Sequence, residues 1–259
     1  MSTTPVIFIT GASSGIGSAL AAEWARQGAR LVLTARRENR LSTLASQLEH
    51  IGCEVLCVRC DVRDETAVQA AIDTAIERFG RLDVAIANAG FGINARFLTL
   101  SNQDYQRQFD TNIFGVMNTL RAAHPHLKKA AGRAVIIGSV NSHVSLPASS
   151  AYAMSKFAVR ALAQSLWSEW RPDGISVTLI CPGFVKTEIH RVDNDGVFNP
   201  DSKNGPPAIF TMPVEVAARK MVRAVNQRRQ EVIITLHGKF VVWLSRHLPW
   251  LAHWLQSRL

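Results

Sequence analysis

Short, continuous apolar runs alternate with longer amphipathic stretches along most of this chain. Val6-Ile7-Phe8-Ile9-Thr10 is the first run. An apolar segment without polar alternation reads as a strand buried on both faces. The same pattern predicts strands at Leu31–Ala35, Glu54–Cys60, Val84–Ala87, Ala134–Gly138, Ile175–Cys181 and Glu231–Leu236. Helical spacing predicts helices over Ile16–Gln27, Glu38–Ile51, Asp64–Phe79, Asn102–Ala130, Ala151–Trp170 and Pro213–Gln227. Strand and helix alternate strictly, which implies an α/β fold: a doubly wound parallel sheet of about seven strands with helices on both faces. Between Phe184 and Met212 the alternation breaks in a stretch rich in Pro, Gly, Asn and Asp. Long connections of this kind form lids and binding segments, so 184–212 is read as a substrate lid. Residues 1–236 then make one domain, and 237–259 fall outside the alternation.

Composition adds limits. The chain has 259 residues, enough for one large α/β domain, and 47% are hydrophobic, enough for a sizeable core. The charged fraction of 19% is below the roughly 25% typical of soluble domains, so some surface is apolar or covered by a partner. The net charge of +9 is concentrated at one end: residues 219–259 hold eight Lys/Arg against a single acid, Glu231, a balance of +7 that leaves +2 for the rest. No nucleic-acid-binding motif accompanies these charges, and nucleic acid is not an expected partner. Cys57 and Cys60 have C-x-x-C spacing, but they sit in a strand and no second pair exists. Cys53, Cys57, Cys60 and Cys181 are therefore read as buried thiols in a reducing compartment, and no metal is expected. Strand residues begin almost at the first position, leaving no room for a secretory apolar region, so the expected location is cytoplasmic.

Two constellations carry chemistry. Gly11, Gly15 and Gly17, with Ser13, Ser14 and Ile16 among them, follow the first strand and open the first helix. Glycines there let the backbone turn sharply and approach a pyrophosphate, while the helix N-terminus presents free N–H groups. Tyr152 and Lys156 are four residues apart and share one helix face. An ammonium fixed beside a phenol favours the phenolate, so the Tyr152 pKa is expected to fall from about 10 towards neutrality. A phenol tuned in this way suits proton exchange with a carbonyl/alcohol pair.

The spacing Gly11-x-x-x-Gly15-x-Gly17 resembles the T-G-x-x-x-G-x-G signature of the short-chain dehydrogenase/reductase family. The resemblance runs from about Val6 to Leu236. It takes in Asp61-Val62, Asn88-Ala89-Gly90, Asn112, Ser139, Tyr152 with Lys156, and Pro182-Gly183, in order. It implies a Rossmann-like fold and hydride transfer involving a nicotinamide cofactor, on its 4-pro-S face. It also implies roles: Asp61 and Val62 border the adenine, Asn88, Ala89 and Gly90 lie under the ribose, and Val185 and Thr187 hold the carboxamide. Tyr152 exchanges the proton, Lys156 lowers its pKa and bonds the ribose, and Ser139 holds the substrate oxygen. Asn112 anchors a water relaying protons to Lys156. Ser142 is a rival to Ser139, but Ser139 keeps the family spacing. His143 borders the expected site without a required role, and Asp83 reads as structural.

The second strand ends Thr34-Ala35-Arg36-Arg37. An acid there would accept the ribose hydroxyls of NAD. Two arginines match a 2′-phosphate instead, so the expected cofactor is NADP(H), with Arg36 the better ligand, Arg37 beside it and Ser13 assisting. The expected activity is NADPH-dependent carbonyl reduction or the reverse oxidation of a secondary alcohol. The alternative is a non-catalytic NADP(H)-sensing or interaction protein on the same fold, although such proteins commonly lose the tyrosine or the lysine. Phe91, Phe97, Val140, Leu146, Phe184, Ile189 and Phe210 are expected to line the pocket, suiting a small apolar substrate. Apolar faces on 102–130 and 151–170 suggest a homodimer. The basic, tryptophan-rich segment 237–259, divided by Pro249, has two readings. It packs over the lid or a neighbouring subunit, or it lies peripherally on the inner face of a membrane.

Overall fold

The computed structural model describes residues 4–187 and 211–258. Seven parallel strands form one sheet in the order β3-β2-β1-β4-β5-β6-β7. They are β1 (Val6–Thr10), β2 (Arg30–Ala35), β3 (Val55–Arg59), β4 (Val84–Ala87), β5 (Arg133–Ile137), β6 (Ser176–Cys181) and β7 (Glu231–Ile233). The helices are α1 (Gly15–Arg26), α2 (Glu38–Glu49), α3 (Glu65–Phe79), α4 (Asn102–Phe109), α5 (Gly115–Ala130), α6 (Ser150–Glu169), α7 (Val214–Asn226), α8 (Leu236–His247) and α9 (Pro249–Gln256).

The apolar runs behave as expected of strands covered on both sides. Ile7 and Ile9 face one layer, with Leu20 and Trp24 of α1 and Met221 and Val222 of α7. Val6 and Phe8 face the other, with Val68 and Ile72 of α3, Leu120 of α5 and Val159 of α6. All four β1 side chains are fully buried. At about 25 cal/mol per Å² of apolar surface, each such side chain contributes roughly 1.5–3 kcal/mol, which is why the strands need no polar alternation. Local signals set the helix ends. Asp64 accepts the Ala67 N–H at 3.1 Å at the start of α3, and Gly80 closes that helix in the left-handed region.

Strand order reverses between β1 and β4, the neighbouring strands from which the sheet grows in opposite directions. Ligands of open α/β sheets bind at such a crevice, beyond the carboxyl ends of the strands. The glycine turn follows β1 and the Asn88-Ala89-Gly90 turn follows β4, so both border it.

Three expectations need correction. The helix expected over 102–130 is two helices joined by a π-helical turn, Asp110–Phe114. The last strand ends at Ile233, and Leu236 begins α8 with Thr235 as its cap, accepting from the Gly238 N–H at 3.2 Å. Cys57 is exposed, unlike Cys53, Cys60 and Cys181, because β3 is the outer strand of the sheet. Of the expected lid, residues 188–210, with Ile189 and Phe210, lie outside the described residues. Its flanks are joined: Met212 N–H donates to the Phe184 carbonyl at 2.9 Å, and Lys186 N–H donates to the Met212 carbonyl at 2.9 Å.

Candidate active site

The glycine turn is held from beneath by β4. Thr10 Oγ1 accepts from the Asn88 and Ala89 N–H groups at 3.0 and 3.1 Å. Asn88 Nδ2 donates to the carbonyls of Thr10 and Gly11 at 2.8 and 3.2 Å. Gly11 has φ +64°, and a Cβ there would lie 2.8 Å from Ala89 Cα. A Cβ on Gly17 would lie 2.7 Å from Asn88 Nδ2. The close approach of the two turns therefore requires glycine at both positions. Thr10, the threonine that opens the T-G-x-x-x-G-x-G signature, is the hub of this contact.

The residues present fit a bound dinucleotide. Ser14, the residue before α1, makes no side-chain cap to the helix, so the first-turn N–H groups are left for another acceptor. A Cβ on Gly15 would touch Thr187 at 3.4 Å, filling the gap between the turn and the segment after β6. Val185 is buried on that segment, and Ile16 packs its side chain into the core below the turn. Val62 is buried against Gly115. Asp61 accepts from Arg63 at 2.6 Å, and those hydrogen bonds, with a smaller contribution from the Arg36 charge, hold its carboxyl below the usual carboxylate range.

Arg37, rather than Arg36, reaches the glycine turn. Its NH2 donates to Ser13 Oγ at 3.1 Å and to Ser14 Oγ at 2.9 Å. Arg36 is exposed at the end of β2. A cavity beside the turn is lined by Ser13, Ser18, Arg40, Thr43 and Gln47. Arg40 thus adds a third cation to this corner, one that the motif comparison passes over.

At the carboxyl end of β5, Ser139 starts a short 3₁₀ turn. Its Oγ accepts the Asn141 N–H at 3.1 Å, while its own N–H donates to Ser142 Oγ at 3.1 Å. Ser142 is fully buried. The two serines thus cap the turn reciprocally, and the Ser139 hydroxyl acts on the Tyr152 phenol. Lys156 is 6% exposed, and its Nζ donates to the Ile137 carbonyl at 2.8 Å, 5.6 Å from the centre of the Tyr152 ring. Gly92 faces the Tyr152 ring.

The π turn aims Asn112 inward, where it is fully buried; π-bulges recur at functional sites because they redirect one side chain. Asn112 Nδ2 donates to the Phe91 carbonyl at 3.0 Å and to Ser155 Oγ at 3.1 Å, and Oδ1 accepts the Phe91 N–H at 3.2 Å. Both amide hydrogens are thereby committed to holding the 88–92 segment against α6. Gln108 braces the same segment, accepting from Ile93 N–H at 2.7 Å and donating to the Phe91 carbonyl at 2.8 Å. Asp83 accepts the Val6 N–H at 2.8 Å and binds Arg81, a structural role as expected.

The direction of the Tyr152 pKa differs from the sequence expectation. Burial raises it, the Ser139 hydrogen bond lowers it by less, and the Cys181 side chain adds to the rise. Burial also lowers Lys156 to about 8. Desolvation drives both groups towards their neutral forms, and the ammonium is spent on a backbone carbonyl.

The last turn of the site comes from the opposite end of the chain. Pro182 accepts the Val140 N–H at 2.8 Å, and Gly183 backs onto Thr235 and His237. His237 Nε2 accepts the Phe184 N–H at 3.2 Å, and its ring stacks on Phe184. His143 is not idle. Its side chain is 2% exposed and lies among Glu231, Arg246 and Cys181, at 3.5, 3.2 and 3.6 Å.

A sheet reversed at β1/β4, an uncapped glycine turn at the crevice, and a serine, tyrosine and lysine beside it define a dinucleotide-dependent oxidoreductase site. The sequence profile of the family described as short chain dehydrogenase matches residues 5–197, and the chain belongs to that family. It is 34% identical over 257 residues to 11-beta-hydroxysteroid dehydrogenase A of Sesamum indicum, covering 96% of this chain and 74% of that one. An alcohol dehydrogenase from Thermococcus sibiricus, solved with 5-hydroxy-NADP, superposes with a TM-score of 0.78 at 31% identity, over 90% of this chain and 97% of the other. A short-chain dehydrogenase/reductase from Burkholderia phymatum, solved with NAD, superposes with a TM-score of 0.85 at 28% identity, over 96% of this chain and 95% of the other.

Proposed function

We propose that this chain is an NADPH-dependent carbonyl reductase, working in reverse as a secondary-alcohol dehydrogenase, on a small apolar ketone or alcohol. The observation that carries the reading is the grouping of Ser139, Tyr152 and Lys156, with the Lys156 ammonium 5.6 Å from the Tyr152 ring centre, joined to the glycine turn through the 88–92 segment. NADP(H), when bound, supplies or accepts the hydride at the carbonyl carbon. Ser13, Arg36 and Arg37 would hold its 2′-phosphate, α1 its pyrophosphate, and Thr187 and Val185 its carboxamide end.

The protein's own residues manage the proton. In reduction, Tyr152 gives its phenolic proton to the carbonyl oxygen as that oxygen gains charge. Ser139 donates a hydrogen bond to the same oxygen and stabilises it. Lys156, with a pKa near 8, stands close enough to steady the tyrosinate that remains. Asn112 and Gln108 fix the wall opposite. Support for an apolar substrate comes from Phe184, exposed on the segment after β6, and from the hydroxysteroid dehydrogenase likeness.

A screen of apolar ketones, followed by NADPH absorbance, tests the reading. Tyr152→Phe should bind NADPH as before and lose turnover by about 10²–10⁴-fold, the usual contribution of a general acid. Retention of more than roughly a tenth of the rate would remove Tyr152 from the chemistry. Binding of NADPH without turnover of any ketone or alcohol would favour the cofactor-sensing alternative.

A further inference from the structure

Helices α8 and α9 present two different faces. The inner face is bolted to the catalytic loops. Gly238 lies against Val140, which directly follows Ser139, and Val242, Leu244 and Ala252 are buried. Arg246 NH2 donates to His143 Nδ1 at 3.2 Å and to Glu231 Oε1 at 3.3 Å. Helix α8 is therefore held by its own domain.

The outer face is aromatic and open. Leu236, Phe240 and Trp243 follow one another at i, i+4 and i+7, exposed by 78%, 61% and 49%. His247 extends the stripe, and Phe240, Trp243 and His247 stack in series with ring centres 6.4 and 5.2 Å apart. Trp250, Trp254 and Leu255 of α9 continue the exposed apolar surface. Contiguous apolar surface of this kind marks a docking face. Its charge narrows the choice of occupant: no Asp or Glu occurs from 232 to 258, whereas Lys239 and Arg258 do, and Arg258 lies 5.3 Å from the Trp254 ring.

We propose that this face docks the enzyme on an anionic lipid surface. A two-fold contact with a second copy would set the same acid-free cations against one another. A lipid headgroup layer accepts tryptophan at its boundary and supplies the opposite charge. With 12 and 8 residues, the two helices lie in the interface; no helix among the described residues is long and apolar enough to cross a membrane. The inference stands independently of the substrate proposed above.

Co-sedimentation of the full-length enzyme with phosphatidylcholine vesicles, with and without phosphatidylglycerol, tests it. Binding to the phosphatidylglycerol vesicles at low salt is expected, with a blue shift of tryptophan emission. High salt should weaken partitioning by roughly tenfold or more, since exposed charges are screened. Phe240→Ser/Trp243→Ser/Trp250→Ser should lose it to the same degree, with circular dichroism unchanged. Lys239→Glu/Arg258→Glu, both surface positions, gives a second test should the triple variant fail to fold: it should lose the preference for anionic vesicles. Failure to sediment at low salt overturns the proposal, as does equal, salt-insensitive binding to both vesicle types. A wild-type oligomer that the triple variant dissolves, without vesicle binding, would identify a second copy as the occupant and also overturn it.

Discussion

His143→Gln makes a quantitative test of how the C-terminal helices are held. Arg246 has only hydrogen-bond donors, so His143 Nδ1, 3.2 Å from its NH2, must accept. The imidazole is therefore neutral, with its proton on Nε2 towards Glu231 and Cys181. Protonation would aim a donor at a donor. Burial lowers the His143 pKa from 6.5 to about 4; Glu231 opposes this, and the charges of Arg160 and Arg246 add to it. The unfolded chain then takes up a proton at higher pH than the folded one. Stability from this site is full above about pH 6.5 and is lost as pH falls towards 4. The gap between 6.5 and about 4 corresponds to roughly 3 kcal/mol, most of it spent by about pH 4.5.

Glutamine keeps an acceptor for Arg246 and a donor for Glu231 but cannot titrate. Urea unfolding of wild type and His143→Gln from about pH 7 to 4.5 reads the difference. Near neutrality the variant should be slightly less stable, by about 1 kcal/mol for imperfect hydrogen bonding. In acid the order should reverse, with the two curves converging and crossing. Other groups act on both proteins alike: burial also lowers His126 and His237, and Asp61, Asp104 and Asp173 lose their contribution only at lower pH. Parallel curves across the window would refute the reasoning and show that His143 titrates freely.

In the cofactor corner, Arg37→Ala should weaken NADPH binding about tenfold, or 1.4 kcal/mol, leaving NADH within about twofold; fluorescence titration measures both, and equal losses would defeat the 2′-phosphate assignment. Phe114 on the π turn and Met154 and Phe157 on α6 are exposed, and we expect them to form a homodimer interface. Light scattering should give twice the 28.5 kDa chain mass, falling to one chain in Phe157→Glu; a monomeric wild type would contradict the interface.

The features legible in the sequence are those that local pattern encodes. Val6–Thr10 announces a doubly buried strand because nothing polar interrupts it. The glycine spacing announces a helix mouth because two of its glycines meet the Asn88-Ala89 backbone and side chain. Pro249 announces a helix break, and α9 starts with it. Features that depend on distant partners were hidden. His143 lies in a loop of ordinary composition, and its significance comes from Glu231 and Arg246, which follow it by 88 and 103 residues. The π turn at Asp110–Phe114 has no residue signature of its own. Leu236 looks like the end of an apolar strand, yet Thr235 caps a helix there. Arg36 and Arg37 are indistinguishable by position; only the backbone after β2 sends Arg37 to Ser13 and Ser14.

Tyr152 shows the same division within a single pair. The four-residue spacing does bring the tyrosine and lysine together on α6, and that much is local geometry. The sign of the pKa change is not local. It depends on how much water the fold removes, and here removal outweighs attraction for both groups: the phenol rises and the ammonium falls to about 8. The Lys156 ammonium, bonded to the Ile137 carbonyl, does not offset that loss of water. A phenol kept protonated is a donor before it is a base. On the proposed function, Tyr152 begins reduction with its proton in place. Oxidation would require that proton to be removed first, so the alcohol reaction should depend more steeply on rising pH than the ketone reaction.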